Sequence, residues 1–226
     1  MRSDPSRGEQ IRSYAAFESN VRAAARSYWG EGFGRDSLSG HETNRFFLSR
    51  NGEQFADLSG LAGLDHTGDG RSLALLDFDR DGRQDLVIAS ANAPKLTLFR
   101  NEIGLDASHK PTVAVRLIGG NRGAIASGEW SNRDSIGATI LAEVDGKPIL
   151  RHLQAGEGFS AQNSNTLLFP VGRDGEITRL EVRWPSGKSR SVPALKAGSL
   201  ATIYENSEEA PEPLEGATIG LVLSDY

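Results

Sequence analysis

Four aspartates lie close together in one short segment of the chain, and their spacing is that of an ion-binding loop. The segment reads LALLDFDRDGRQDLVIAS and runs from Leu73 to Ser90. Carboxylates stand at positions 1, 3, 5 and 9 of a loop with glycine at position 6, namely Asp77, Asp79, Asp81, Asp85 and Gly82. Carboxylates this close together repel one another unless a cation lies among them. The sequence therefore predicts a site for a hard cation that binds oxygen.

The expected ligands follow from the positions in this loop. The aspartates at positions 1, 3 and 5 supply carboxylates, Arg83 at position 7 supplies its backbone carbonyl, and Asp85 completes the site directly or through a water. Calcium is favoured over magnesium because many carboxylates in a flexible loop suit a larger ion with more ligands. Position 12 is Ile88 rather than glutamate, so the loop is not an EF-hand. The alternative is a solvated acidic turn that holds no ion.

The chain carries no motif that names a reaction. Its four histidines are scattered without metal-ligand spacing, and neither a G-x-S-x-G sequence nor a phosphate-binding glycine loop is present. There are no cysteines, which excludes disulfides and cysteine-based metal sites.

Composition narrows the class of partner. The 226 residues are 38% hydrophobic, enough for a core in one or two domains, and carry a formal net charge of -5. That charge argues against nucleic acid as the main partner. No apolar run has the length of a membrane span. The N-terminal residues MRSDPSRGEQ lack the apolar centre of a signal peptide, so we expect any export signal to lie upstream.

The pattern of elements predicts an all-β, mainly antiparallel protein with one N-terminal helix. Residues 10–29 have apolar residues at helical spacing, followed by glycines at 30, 32 and 34. From residue 44, short strands surround the Asn51-Gly52 hairpin signal and the aspartate loop, which predicts one four-stranded antiparallel unit. From residue 111, alternating apolar strands and turns at Asp145-Gly146 and Asp174-Gly175 predict a β-sandwich or barrel.

Two known families share these sequence features. The segment NRFFLSRNGEQFADLSGLAGL, followed by ALLDFDRDGRQDLVIA, resembles the FG-GAP or VCBS repeat, a β-propeller blade that often carries a calcium loop. The second region resembles the ASPIC/UnbV domain through three segments, NRD-x-IGA from Asn132, AGEGFSAQ from Ala155 and EVRWPSG from Glu181. An FG-GAP repeat before an ASPIC/UnbV domain is the C-terminal arrangement of the cartilage acidic protein family and its bacterial relatives.

The resemblance implies a division of the chain. Residues 1–43 hold the helix and a connector, 44–104 the FG-GAP-like repeat, 111–205 the ASPIC/UnbV-like domain, and 206–226 an acidic linker or tail. The family has several propeller blades before its ASPIC/UnbV domain, and only one is visible here. We therefore expect a fragment or a short gene model, with the missing blades upstream in a longer chain, or a remnant whose single blade packs on the C-terminal domain.

The function expected from these features is a calcium-binding interaction module, extracellular or periplasmic, with a protein or glycan partner. The location is implied by the resemblance alone. The alternative is an enzyme of secondary metabolism that uses polar residues of the ASPIC/UnbV motifs, namely Asn132, Arg133, Asp134, Glu157, Ser160 and Gln162. These side chains can equally serve to build their own loops by capping backbone groups.

Overall fold

The computed structural model describes Ala23 and residues 42–91, 93–103, 112–211 and 220–226. The chain divides into two compact units, residues 1–69 and residues 70–226. Apart from Ala23, the helix expected at residues 10–29 lies outside the described residues. Within the described ranges, no helix combines the length and apolar character needed to cross a bilayer.

The described part of the first unit, from residue 42 onward, contains an antiparallel hairpin. Its strands are β1 (Phe47–Arg50) and β2 (Gln54–Asp57). Asn51 and Gly52 join them with φ angles of 59° and 77°. Two consecutive positive φ angles are typical of a type I′ turn, which asparagine and glycine adopt readily. The hairpin predicted at this dipeptide is therefore confirmed.

The second unit begins with a three-stranded antiparallel sheet of order β3-β4-β5. Its strands are β3 (Gly70–Leu76), β4 (Asp85–Ser90) and β5 (Leu96–Phe99). The sequence predicted four strands around the aspartate loop. Three form here, because β1 and β2 pair with each other in a separate two-stranded sheet. The aspartate loop joins β3 to β4.

Most of the remaining strands form two four-stranded sheets. The remaining strands, in chain order, are β6 (Thr112–Ile118), β7 (Thr139–Val144), β8 (Lys147–His152), β9 (Thr166–Pro170), β10 (Glu176–Ile177), β11 (Arg179–Arg183), β12 (Ser189–Val192), β13 (Leu195–Lys196), β14 (Ser199–Tyr204) and β15 (Leu221–Asp225). Of these, β10 and β13 pair with each other in a two-stranded sheet. The sheet orders are β12-β11-β7-β8 and β15-β14-β6-β9. The pair β6–β14 is parallel; the other neighbours in both sheets are antiparallel.

Both sheets contribute side chains to one apolar core. In β7, buried and less buried residues alternate, as a strand with one face on a core requires. The fully buried members include Ile140 of β7, Leu180 of β11 and Ile203 of β14. Phe169 of β9 is the largest fully buried side chain of the cluster. The structure is thus all-β with two packed sheets, as the turn pattern of this region predicted.

Part of the segment expected as an acidic tail has regular structure. Residues Ser207–Glu209 form a short 3₁₀ helix, and β15 pairs with β14 along its length. Leu221 of β15 is 6% exposed and belongs to the core. The strand thus adds Leu221 to the core, whereas its Leu223 is 54% exposed.

Candidate metal centre

The aspartate loop curls because two of its residues adopt positive φ angles. These are Arg80 at 58° and Gly82 at 83°. Glycine reaches this region without steric cost, whereas arginine does not. The Thr112 hydroxyl donates a hydrogen bond to the Gly82 carbonyl at 2.9 Å and so links the turn to the start of β6.

Three of the predicted ligands come together. One carboxylate oxygen each from Asp77, Asp79 and Asp85 lie within 4.8 Å of one another. Asp79 is exposed, Asp77 is half-buried and Asp85 is 1% exposed. A single ion can bridge oxygen atoms at this spacing, because calcium–oxygen distances are about 2.3–2.6 Å.

Asp85, at the start of the central strand β4, is held in place by backbone amides of the residues that follow its two neighbours, β3 and β5. Its Oδ2 accepts a hydrogen bond from the Phe78 amide at 2.9 Å, and its Oδ1 accepts one from the Asn101 amide at 2.8 Å. A carboxylate oxygen has two lone pairs, so each atom retains acceptor capacity after one such bond. The bonds therefore orient Asp85 without using up its oxygens.

Asp77 is oriented by the loop and by the last described strand. Its two oxygens accept hydrogen bonds from the Asp81 amide at 3.1 Å and the Gly82 amide at 2.9 Å. The Tyr226 hydroxyl, directly after β15, donates a third. Burial raises the pKa of the Asp77 carboxyl above its usual value, and these hydrogen bonds oppose the rise without cancelling it.

Asp81 does not join the group of three. Its Oδ1 accepts a hydrogen bond from the Arg83 amide at 2.8 Å, and its Oδ2 forms an ion pair with Arg83 Nη1 at 3.0 Å. The Arg83 Nε donates to the Ile103 carbonyl at 3.0 Å. The two residues at positions 5 and 7 of the loop are therefore bonded to each other.

Sequence analysis missed Arg100. Its Nε lies 2.7 Å from Asp79 Oδ2, and its Nη2 lies 3.9 Å from Asp81 Oδ2. The hydrogen bond and negative charge of Asp79 raise the pKa of Arg100. The register pairs Leu86 with Phe99, so the residue after β5 lies level with the end of the loop. The pairing of β5 with β4 places Arg100 beside the loop, so a correct prediction of this pairing from the sequence would have identified Arg100.

The donor set fits a hard cation. Asp77, Asp79 and Asp85 offer carboxylate oxygens and no nitrogen or sulfur, which suits calcium or magnesium better than zinc. Two arginines also lie beside the aspartates, Arg83 within the loop and Arg100 directly after β5, and their charges lower the repulsion among the carboxylates. The aspartate loop is thus ordered by its own backbone hydrogen bonds and by ion pairs of its side chains.

The polar residues of the ASPIC/UnbV-like loops bond mainly within those loops. The Asn132 side chain accepts a hydrogen bond from the Ile136 amide at 2.9 Å and donates one to the Ile136 carbonyl at 2.8 Å. Arg133 pairs with Asp134 at 3.0 Å, and that hydrogen bond lowers the pKa of the Asp134 carboxyl. These contacts favour the loop-building alternative.

The second polar loop is organised in the same way. Gln162 accepts from the Gly156 amide at 2.7 Å and donates to the Gln154 carbonyl at 3.0 Å. Glu157 accepts from the Asn163 side chain at 2.8 Å, and Ser160 has a φ angle of 54°. A cavity of about 160 Å³ on the β7–β8–β11 sheet is lined by none of the polar loop residues.

Glu205, which was not predicted from the sequence, accepts hydrogen bonds from several segments of the ASPIC/UnbV-like region. Its Oε2 accepts from the Gly120 amide at 2.8 Å and the Ser131 amide at 2.9 Å. Its Oε1 accepts from the hydroxyls of Ser131, at 2.9 Å, and Ser186, at 2.5 Å. Burial acts to raise the pKa of this carboxyl, but the hydrogen bonds together outweigh it and lower the pKa below 4.5.

Comparisons with known proteins agree with the resemblance described from the sequence. The FG-GAP repeat family matches residues 70–102, and the ASPIC and UnbV family matches residues 128–210. The chain is 29% identical over 161 residues to human cartilage acidic protein 1, covering 67% of this chain and 22% of that protein. The mouse protein of the same name is 29% identical over 151 residues, covering 65% and 21% respectively. The chain thus spans about a fifth of the length of these relatives.

Proposed function

We propose that this chain is a calcium-binding interaction module that acts outside the cytoplasm and catalyses no reaction. The observation that carries the calcium part is the convergence of Asp77, Asp79 and Asp85 within 4.8 Å, in a loop ordered by backbone hydrogen bonds. The match of this segment to the FG-GAP repeat supports the same conclusion. When bound, calcium would neutralise these carboxylates and fix the connection between β3 and β4.

The proposed location follows from relatives and from affinity. The protein is similar in sequence to cartilage acidic proteins, whose name places them in cartilage. Calcium modules that work outside cells bind at roughly 10⁻⁴–10⁻³ M. A loop with three converging carboxylates and two nearby arginines suits that weak range better than the range of cytosolic buffers. An extracellular or periplasmic site is therefore proposed for this chain.

Exposed apolar side chains support the interaction part of the proposal. Phe159 is 78% exposed at the tip of its loop, and Leu96 and Leu98 of β5 are 65% and 43% exposed. Leu96 and Leu98 lie two positions apart and therefore share one face of β5, and contiguous exposed apolar surface marks interaction sites in proteins. A protein partner offers apolar surface to match; a glycan partner remains the second candidate.

Calorimetric titration of calcium into chelator-treated protein tests the calcium site. We expect one site in the wild type and loss of binding in Asp79→Asn. This substitution removes a ligand charge but leaves intact the hydrogen bonds from backbone amides to Asp77 and Asp85. Asp134→Asn serves as the matched control, because Asp134 pairs with Arg133 instead of joining the group of three. Circular dichroism on the same samples checks that each variant is folded. Equal binding by the wild type and Asp79→Asn would contradict the proposed site.

A further inference from the structure

We propose that the guanidinium of Arg100 is the internal cation of the aspartate loop, and that calcium binds by displacing it from Asp79. This inference rests on the calcium binding proposed above. It assigns Arg100 a role in setting the affinity and the ion-free state of the site.

The carboxylate of Asp79 has two possible partners, a bound ion and the guanidinium of Arg100. Asp79 belongs to the group of three carboxylates, and its Oδ2 is also 2.7 Å from Arg100 Nε. Arg100 Nη2 is 3.9 Å from Asp81 Oδ2, so the guanidinium lies between two aspartates of the loop. A divalent ion bound to Asp79 would lie close to this positive group, and like charges at that separation repel. The ion and the guanidinium therefore compete for the same carboxylate.

Arg100 has a second carboxylate to which it can turn. Its Nη1 is 3.6 Å from Glu102 Oε1, and its side chain is 48% exposed. Leaving Asp79 therefore requires a side-chain rotation at the surface and no change of the backbone. An ion pair at the surface is weak because water screens it, so calcium can break it at moderate cost.

Arg83, which lies within the aspartate loop, is held differently from Arg100. The side chains of Arg83 and Asp81 are 10% and 19% exposed, and Arg83 also donates to the Ile103 carbonyl. Because this pair is more buried and has an extra hydrogen bond, we expect it to persist when calcium binds. The ligand carboxylates are then Asp77, Asp79 and Asp85, with Asp81 paired to Arg83.

Calcium titration of Arg100→Gln beside the wild type measures the competition. We expect the dissociation constant to fall about three- to ten-fold in R100Q, from the loss of an ion pair and of local repulsion. Arg183→Gln is the matched control, since it removes the same charge from an exposed arginine whose partner is Glu181, at 3.4 Å. It is expected to change the constant by less than about two-fold. An unchanged or weaker affinity in R100Q would overturn the proposal.

Nuclear magnetic resonance of the wild type observes the displacement directly. The Arg100 Nε–H signal, assigned through its correlations with the side chain and backbone of Arg100, is expected to move towards the position of a solvated arginine as calcium saturates the site. A signal that stays in place under saturating calcium overturns the inference, even if R100Q folds poorly. This measurement needs no variant for its result.

The outcomes separate this inference from the proposed function. Calcium binding by the wild type with Arg100 still on Asp79 removes the inference and leaves the calcium site. Binding by R100Q alone would overturn both proposals for the wild type, because the guanidinium would then stay on Asp79 and exclude calcium. If neither protein binds calcium, both proposals fall together.

Discussion

The carboxylate of Glu205 shows how one buried charge can organise several sequence motifs. It is 5% exposed and accepts hydrogen bonds from Gly120, Ser131 and Ser186, which lie in three separate segments. Hydrogen bonds to a charged group contribute about 1.5–3 kcal/mol each, and an uncompensated buried charge is costly. The serines of the SNRD and WPSG segments are therefore explained as donors to this carboxylate.

Replacing Glu205 with glutamine is expected to lower the free energy of unfolding by about 2–3 kcal/mol near neutral pH. The amide nitrogen would face donors instead of accepting from them, so at least one buried hydrogen bond is lost. Urea unfolding followed by circular dichroism measures the loss. Glu129→Gln is the control, because the Glu129 side chain is 68% exposed. Equal stability of E205Q and the wild type would contradict this role.

The contribution of Glu205 to the free energy of unfolding should decrease as the pH falls. Its folded-state pKa is lowered below 4.5, so the stabilisation is fully present above the unfolded pKa and is lost as pH falls through the folded value. The difference in unfolding free energy between wild type and E205Q is therefore expected to be constant from about pH 6 upward and to shrink below about pH 4.5. A difference that grows on acidification would refute the assignment.

At the scale of elements, the second polar loop borders the edge strand β3. The Leu75 amide donates to Asn163 Oδ1 at 2.9 Å, and the Ser164 amide donates to the Leu75 carbonyl at 2.9 Å. Gly158 lies against the Leu73 carbonyl, where an added Cβ would come within 3.3 Å. An exposed strand edge invites unwanted pairing, and covering it with a loop is one way proteins prevent this. The polar residues of this loop thus have a structural task.

Substituting Asn163 with alanine is expected to expose the Leu75 amide to exchange. Loss of one hydrogen bond of about 1 kcal/mol corresponds to about five-fold faster local exchange with deuterium. Hydrogen exchange resolved by residue measures this change. The Val115 amide in β6 is the internal reference, because Val115 is fully buried in the core. An unchanged Leu75 rate would mean that the loop does not protect this edge.

At the scale of the whole molecule, the apolar core of the described residues lies mainly in the two four-stranded sheets, with Ile177 and Leu195 added by the pair β10–β13. The core cluster draws its buried members from residues 113–221 and includes none from β3, β4 or β5. In those three strands Ile88 is 8% exposed, whereas Leu73 is 51% and Leu96 is 65% exposed. The sandwich therefore supplies most of the stability from apolar burial, and the aspartate loop belongs to a less buried sheet.

Paired substitutions can test this distribution of stability. Ile140→Ala is expected to cost about 2–5 kcal/mol, because Ile140 is fully buried and leaves a cavity. Leu96→Ala is expected to cost less than about 1 kcal/mol, because most of its side chain is already in water. Urea unfolding of the two variants gives the comparison. Similar losses would show that Leu96 is covered in solution by another surface.

Some features follow from local sequence because they depend on neighbouring residues. The Asn51-Gly52 hairpin formed as predicted, since a type I′ turn needs positive φ angles that these residues adopt. The all-β class and the two-sheet core followed from alternating apolar residues, which place one face of each strand inward. The spacing of the aspartates also predicted a loop whose carboxylates converge, as those of Asp77, Asp79 and Asp85 do, although it did not predict that Asp81 would pair with Arg83.

Other features required the tertiary structure, because they depend on residues far apart in the chain. The pairing of Asp79 with Arg100, across 21 positions, is set by the register of β4 and β5. The Tyr226 hydroxyl reaches Asp77 only because β15 joins the sheet beside β14. Glu205 meets Ser131 through the pairing of β6 with β14. Local periodicity fixed the strands and turns, whereas strand order and register decided which charges meet.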